Sequence, residues 1–134
     1  MPKQVKAVET EKITVNLGYV DLGRIDLLVG EGFYTNRTDF IRAAIRAQLG
    51  THTADVGTLI ERRTLDIGLR DFNRDDLEKV RTAGELLHIK VVGLARLAPD
   101  ISVDLALATI GSITVLGALQ ASPEVKIALK DRIS

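Results

Sequence analysis

Residues Lys12 to Leu17, KITVNL, alternate strictly between polar and apolar side chains, and the residues that follow change to a helical period. Alternation sets Ile13, Val15 and Leu17 on one face of a strand and Lys12, Thr14 and Asn16 on the other. A single strand of this length cannot bury its own apolar face. The strand therefore needs a partner strand.

The next segment, VDLGRIDLLVGEG, carries Leu22, Ile25, Leu28 and Val29 on one helical stripe, with Asp21 near the start and Gly30 and Gly32 at the end. YTNRTDFIRAAIRAQLG then opens a second helix. Thr35 or Asn36 is its N-cap, Asp39 lies in its first turn, Ile41, Ala44, Ile45 and Leu49 form its apolar stripe, and Gly50 stops it. The order is strand, helix, helix, and the strand can be satisfied by the same strand of a second copy.

KITVNL, VDLGRIDLLVGEG and YTNRTDFIRAAIR together resemble the ribbon-helix-helix family of DNA-binding proteins, over residues 11–49. The Asn36-Arg37-Thr38-Asp39 helix entry is part of the likeness, whereas Gly18 stands where many relatives carry proline. The resemblance implies a homodimer with an antiparallel two-stranded ribbon in the DNA major groove. It implies that Lys12, Thr14 and Asn16 face base edges, for which a cationic donor, a hydroxyl with a methyl, and a carboxamide are suited. It places Thr35, Asn36, Arg37 and Thr38 at a phosphate, beside the free amides of a helix N-terminus. Ile13, Val15, Leu17, Ile25, Ile41 and Ile45 would form the dimer core.

Charge offers this reading little general support. The chain has 18 basic and 18 acidic residues, and its first 63 residues carry nine basic and eight acidic ones. Asp21, Asp26, Glu31 and Asp39 would lie near the DNA backbone and weaken nonspecific attraction. DNA contact must therefore rest on local placement of side chains.

Residues 64–134 carry a second pattern, a spacing of 24. Ile89, Val91, Gly93, Pro99, Asp100, Ile101 and Leu105 match Ile113, Val115, Gly117, Pro123, Glu124, Val125 and Leu129 without a gap. A further step back gives a weaker copy through Leu65, Ile67, Asp76 and Leu77, without the Gly and Pro. Each unit reads as a short strand, a turn, and a helix opened by Pro and an acid. The expected fold class is mixed, α+β or α/β: a ribbon-helix-helix module followed by three strand-helix units, with parallel strands on one side and helices on the other. A hairpin of SVDLALATI and SITVLGALQ across Gly111 is the antiparallel alternative.

The expected organisation is a flexible arm over 1–10, a DNA-binding module over 11–50, a linker or short helix over 51–63, and an oligomerisation domain over 64–134. A three-strand layer has unpaired edges and excess apolar surface, so Ile89, Val91, Ile113 and Val115 are expected to mediate association between copies.

Other chemistry finds little footing. There is no cysteine, and His52 and His88 are far apart, so no metal or other cofactor is expected. Asp75, Asp76 and Glu78 read as dipole partners of a helix start. No nucleophile and base pair is visible, and an enzyme is not expected. Charges interrupt every apolar run, so the expected setting is the cytoplasm, without a membrane partner. Three functional readings follow: a regulator binding double-stranded DNA and oligomerising with itself, an antitoxin whose C-terminal half grips a toxin, and a self-assembling scaffold whose ribbon only dimerises.

Overall fold

The computed structural model describes residues 10–134, and all but the last residue of the expected N-terminal arm lies outside them. The chain forms two compact units, one up to Gly57 and one from Thr58 to Ser134. Helices α1 (Tyr19–Gly30) and α2 (Arg37–Thr51) belong to the first. Helix α3 (Thr53–Arg63) takes up the segment read as a linker or short helix, and the division between the units falls within it. No described helix is long and apolar enough to cross a membrane.

The second unit alternates strands and helices: β1 (Asp66–Phe72), α4 (Arg74–Thr82), β2 (Leu87–Leu97), α5 (Val103–Thr109), β3 (Ile110–Gln120) and α6 (Pro123–Ala128), closed by a short 3-10 turn at Lys130–Arg132. The strands form one sheet in the order β1-β2-β3, and both pairings are parallel. The hairpin alternative is therefore replaced by a crossover, because VDLALAT is helical. Ser102 caps that helix by accepting the Leu105 amide proton at 3.1 Å. Pro99 and Asp100 lie in a turn before it and do not open the helix, contrary to the sequence reading. Ser122-Pro123-Glu124 does open α6, with Pro123 at the first position. Asn73 opens α4 through a reciprocal capping box with Asp76 (2.8 and 2.9 Å).

Ile89 pairs with Ile113, Val91 with Val115 and Gly93 with Gly117, the spacing of 24. Between β1 and β2 the spacing is 25: Gly68 stands beside Gly93, Ile67 beside Val92, and Asp66 beside Val91. The first strand thus has a glycine in the shared position, which a strict step of 24 conceals. Gly68, Gly93 and Gly117 share φ values of +120°, +135° and +120°, a region essentially closed to other residues. A methyl group built on Gly93 would overlap the Gly68 carbonyl, and one on Gly117 would overlap the Gly93 carbonyl. The strands share one level of positive-φ backbone and stack there through a close approach that only glycine permits.

This register puts Ile89, Val91, Ala95 and Ile113 on the face covered by the helices, against Leu77 of α4, Ile101, Leu105 and Ala106 beside and on α5, and Val125 and Leu129 beside and on α6. Burying side chains of this size stabilises a fold by roughly 1.5–3 kcal/mol each. Ile89, Val91 and Ile113 are thus interior to a single chain, and Val115 packs against the same core. They are not an outer surface, so the expected association must use other residues. The opposite face carries Ile67, Val92 and Leu116 in one row and Leu69, Leu94 and Ala118 in the next. None of these six belongs to the core, and Ile67 is 68% exposed and Leu116 45% exposed.

Thr64 ends α3 with φ +54°, while the Leu65 amide donates to the Ile60 carbonyl at 3.0 Å. A β-branched residue is strained there. Two stability changes follow for chemical denaturation of the protein. Gly117→Ala loses on the order of 3 kcal/mol or more, since strain and backbone overlap combine. Gly68→Ala, which meets strain without overlap, loses less, and Thr64→Gly gains about 1 kcal/mol.

Candidate nucleic-acid interface

Residues 11–18 adopt no regular secondary structure in the single chain and are exposed throughout. Ile13 is 71% exposed, Val15 68% and Leu17 42%, on the same footing as Lys12, Thr14 and Asn16. Apolar groups at alternate positions are left in water, which costs about 25 cal/mol for each Å² that a partner could cover.

The two helices that follow also bury little within one chain. Ile25 is the one fully buried residue of α1, α2 has none, and Ile41, Ile45 and Leu49 are exposed. Of the residues expected to make a dimer core, Ile25 alone is covered by its own chain. The remaining five stay open.

Local devices fix the corner between the helices. After α1, Gly32 takes φ +87°, its amide donates to the Val29 carbonyl, and the Phe33 amide donates to the Leu28 carbonyl, both at 3.0 Å. These are the two bonds of a Schellman cap, which favours glycine at this point. Tyr34 and Phe40 meet edge to face with ring centroids 5.0 Å apart. Asn36 is the N-cap of α2, accepting the Asp39 amide proton at 2.8 Å, and the Asp39 carboxylate accepts the Thr35 amide proton at 3.0 Å.

Arg37 joins the helices. Its Nε and Nη2 donate to the two carboxylate oxygens of Asp26, each at 2.8 Å. This fork is the strongest geometry available to such a pair. The hydrogen bond from Arg37 holds the Asp26 carboxyl below its ordinary value of 3.8, and the Asp26 carboxylate in turn raises Arg37. The sequence places Arg37 at a phosphate and Asp26 among the acids that repel DNA, whereas the structure pairs the two. Eleven residues and a turn separate them, so no helical spacing signals the contact.

The four residues read as a phosphate site therefore differ in what they offer. The Thr35 amide is engaged by Asp39, the Asn36 side chain by the Asp39 amide, and the Arg37 guanidinium by Asp26. Among the described residues, the amides of Arg37 and Thr38 have no acceptor, as expected in the first turn of a helix. They sit at its positive end.

The two histidines make local contacts. His52 Nδ1 lies 3.2 Å from Asp55 and His88 Nδ1 lies 2.8 Å from Ser112. Among the described residues no three His, Asp or Glu side chains gather as metal ligands.

A strand-competent segment with exposed alternating apolar residues, followed by two helices joined at a capped corner, defines a module of the ribbon-helix-helix class. A model of the ribbon-helix-helix transcriptional regulator family matches residues 8–126, and the chain belongs to that family. The match runs through the sheet as well as the module, well past the residues that carry the sequence resemblance. No curated protein and no solved structure gives a match. Membership of this family implies DNA binding and dimerisation.

The Asp26–Arg37 pair predicts an acid-side dependence. A depressed carboxyl contributes stability that is fully present above the unfolded value, near 3.8, and is lost as the pH falls through the lower folded value. Urea unfolding followed by helix signal, from neutral pH to below 3.8, is expected to show that loss in the wild type. Asp26→Asn is expected to remove this component, while Asn36→Ala lowers stability by about 1 kcal/mol and leaves it in place.

Proposed function

We propose that this protein is a sequence-specific DNA-binding regulator that reads the major groove with a ribbon made by residues 12–17 of two chains. The observation that carries the reading is the exposure of Ile13, Val15 and Leu17 in a chain of this family. Pairing two copies antiparallel turns these three inward over Ile25, Ile41 and Ile45, and turns Lys12, Thr14 and Asn16 outward. A ribbon of that width fits the major groove, and its outward residues supply donors, an acceptor and a methyl for base edges.

Orientation on the duplex would come from the amides of Arg37 and Thr38, with the Thr35 and Thr38 hydroxyls beside them. Arg37 serves first as the clasp between α1 and α2. A phosphate contact through its guanidinium would compete with Asp26.

The second unit supplies association between copies in this reading. We take its strand-helix units as three variants of one design, aligned by the shared glycine level, with the open apolar face and the β1 edge of the sheet available to another chain. Joining several ribbons on one DNA raises affinity by effective concentration, which suits a protein of zero net charge. The antitoxin reading has less support, because residues 64–134 possess a closed core of their own.

Binding of the full chain to genomic DNA fragments across a salt series tests the proposal. The wild type is expected to prefer particular fragments and to weaken as salt rises. Thr14→Ala with Asn16→Ala is expected to lose that preference, by about 1–3 kcal/mol for each base contact removed, while the dimer persists. A wild-type dimer that ignores DNA at low salt would overturn the reading and leave the ribbon as a dimer clip.

A further inference from the structure

The two edges of the sheet are not alike. At β3 the chain's own C-terminal residues lie alongside: Ile133 bridges Ile113, and the Ser134 amide donates to the Ile113 carbonyl at 2.8 Å. That contact obstructs a neighbouring chain that would continue the parallel stack from β3. At β1 the outer side has no strand among the described residues, and Asp66 to Asp71 are all exposed. Open strand edges are normally guarded, often by charge.

The charges of β1 are arranged differently from a simple guard. The strand reads Asp66-Ile67-Gly68-Leu69-Arg70, an acid, an apolar residue, a glycine, an apolar residue and a base. Centred on Gly68, two antiparallel copies would set Asp66 against the partner's Arg70 twice, Ile67 against the partner's Leu69 twice, and glycine against glycine. Asp71, the remaining charge of the strand, lies 2.8 Å from Arg96 of its own chain. The Asp66–Arg70 contact within one chain is longer, 3.4 Å, and both side chains are more than half exposed, so it offers little resistance to exchange.

Other registers lose these matches. A slip of one residue in either direction joins the core face of one copy to the outer face of the other, and sets Asp66 against Asp71 in one direction and against Leu69 in the other. A slip of two sets Asp71 against Ile67, or Ile67 against itself, and separates the opposite charges. The glycine agrees with the chosen centre, because a two-fold axis there sets the positive-φ residue of one copy beside that of the other and keeps core side with core side.

We propose that β1 is a self-complementary interface through which a second copy of this chain adds antiparallel, centred on Gly68, to give a continuous six-stranded sheet. The inference rests on the self-association assigned above to the second unit and names its surface. The rows Ile67-Val92-Leu116 and Leu69-Leu94-Ala118 then continue across the junction into the partner.

The chain has no cysteine, so a disulfide can report the register in the full-length protein. Ile67→Cys with Leu69→Cys is expected to give a covalent dimer on mild oxidation, because the two positions oppose each other across the axis. Each single variant alone is expected to give none, and an equal mixture of the two single variants is expected to give it again. Adding Arg70→Asp to the double-cysteine chain should abolish the product, and adding Asp66→Arg to that should restore it. An equal mixture of Asp66→Arg and Arg70→Asp chains should associate through the second unit where neither does alone, which reads the charge pairing without any disulfide. Sedimentation and DNA binding of the same folded samples separate the outcomes. Association without either cross-linking or charge rescue overturns the β1 interface and leaves the self-association standing. Cross-linking by a single variant overturns the register. Absence of association through the second unit in any assay overturns both, and leaves the ribbon to be judged by its DNA binding.

Discussion

In residues 58–134 the carbonyl of one strand occupies the space that the β-carbon of the next would need. Gly93 stacks on Gly68 and Gly117 on Gly93, all with φ between +120° and +135°. This close approach sets the register, and the register sets what is buried. With Gly93 beside Gly117, Ile89 falls beside Ile113 and Val91 beside Val115, and these form the floor on which Ile101, Leu105, Val125 and Leu129 pack. Parallel strands are ordinarily covered on both faces. Here the helices cover one, and the rows of Ile67 and Leu69 are left on the other. The same constraint that closes the core creates the apolar surface outside it.

The first unit is held together on a different principle. Its helices bury Ile25 and little else within one chain, so their mutual placement depends on caps and polar contacts: Gly32, Asn36, the Tyr34–Phe40 pair and the Arg37–Asp26 fork. The caps and the ring pair each contribute about 1 kcal/mol, and an exposed ion pair is weakened by solvent, which together is enough to shape a corner and too little to replace a core. The apolar stripe of α2 and the alternating residues of 12–17 are complete as patterns and incomplete as packing. On the reading proposed above a second chain supplies what is missing, and the family implies dimerisation.

What was legible in the sequence follows from how far each interaction reaches. Asn36, one of the two caps the sequence offers for α2, is legible because its partner lies three residues on, and the Pro123-Glu124 opening of α6 is legible for the same short range. The α5 start differs from the sequence expectation because Pro99-Asp100 has the composition of a helix opening, yet Ser102 supplies the cap. Gly68 escapes a fixed-step comparison because nine residues lead from it to the buried Leu77, whereas eight lead from Gly93 to Ile101 and from Gly117 to Val125. One extra residue in the first connection moves the strand by one place while leaving the helix in phase. A rigid step of 24 then aligns the helix and misaligns the strand. Ile89, Val91 and Ile113 were recognised as apolar strand positions, but alternation alone does not say which face the helices will cover.

The Arg37–Asp26 fork also changes how the charge of the first unit should be weighed. Counting Asp21, Asp26, Glu31 and Asp39 as a repulsive group treats each as free, yet Asp26 is matched by Arg37 and Asp39 accepts the Thr35 amide proton. The pairing removes one acid and one base together, so the formal balance stays near zero while the surface field weakens in both senses. In a module of this kind, long-range attraction contributes little and geometry more. Affinity for DNA, on the reading proposed above, would then depend on hydrogen bonds from the ribbon and on how many ribbons one assembly carries. That gives the second unit a physical role in recognition that it could perform without touching DNA at all.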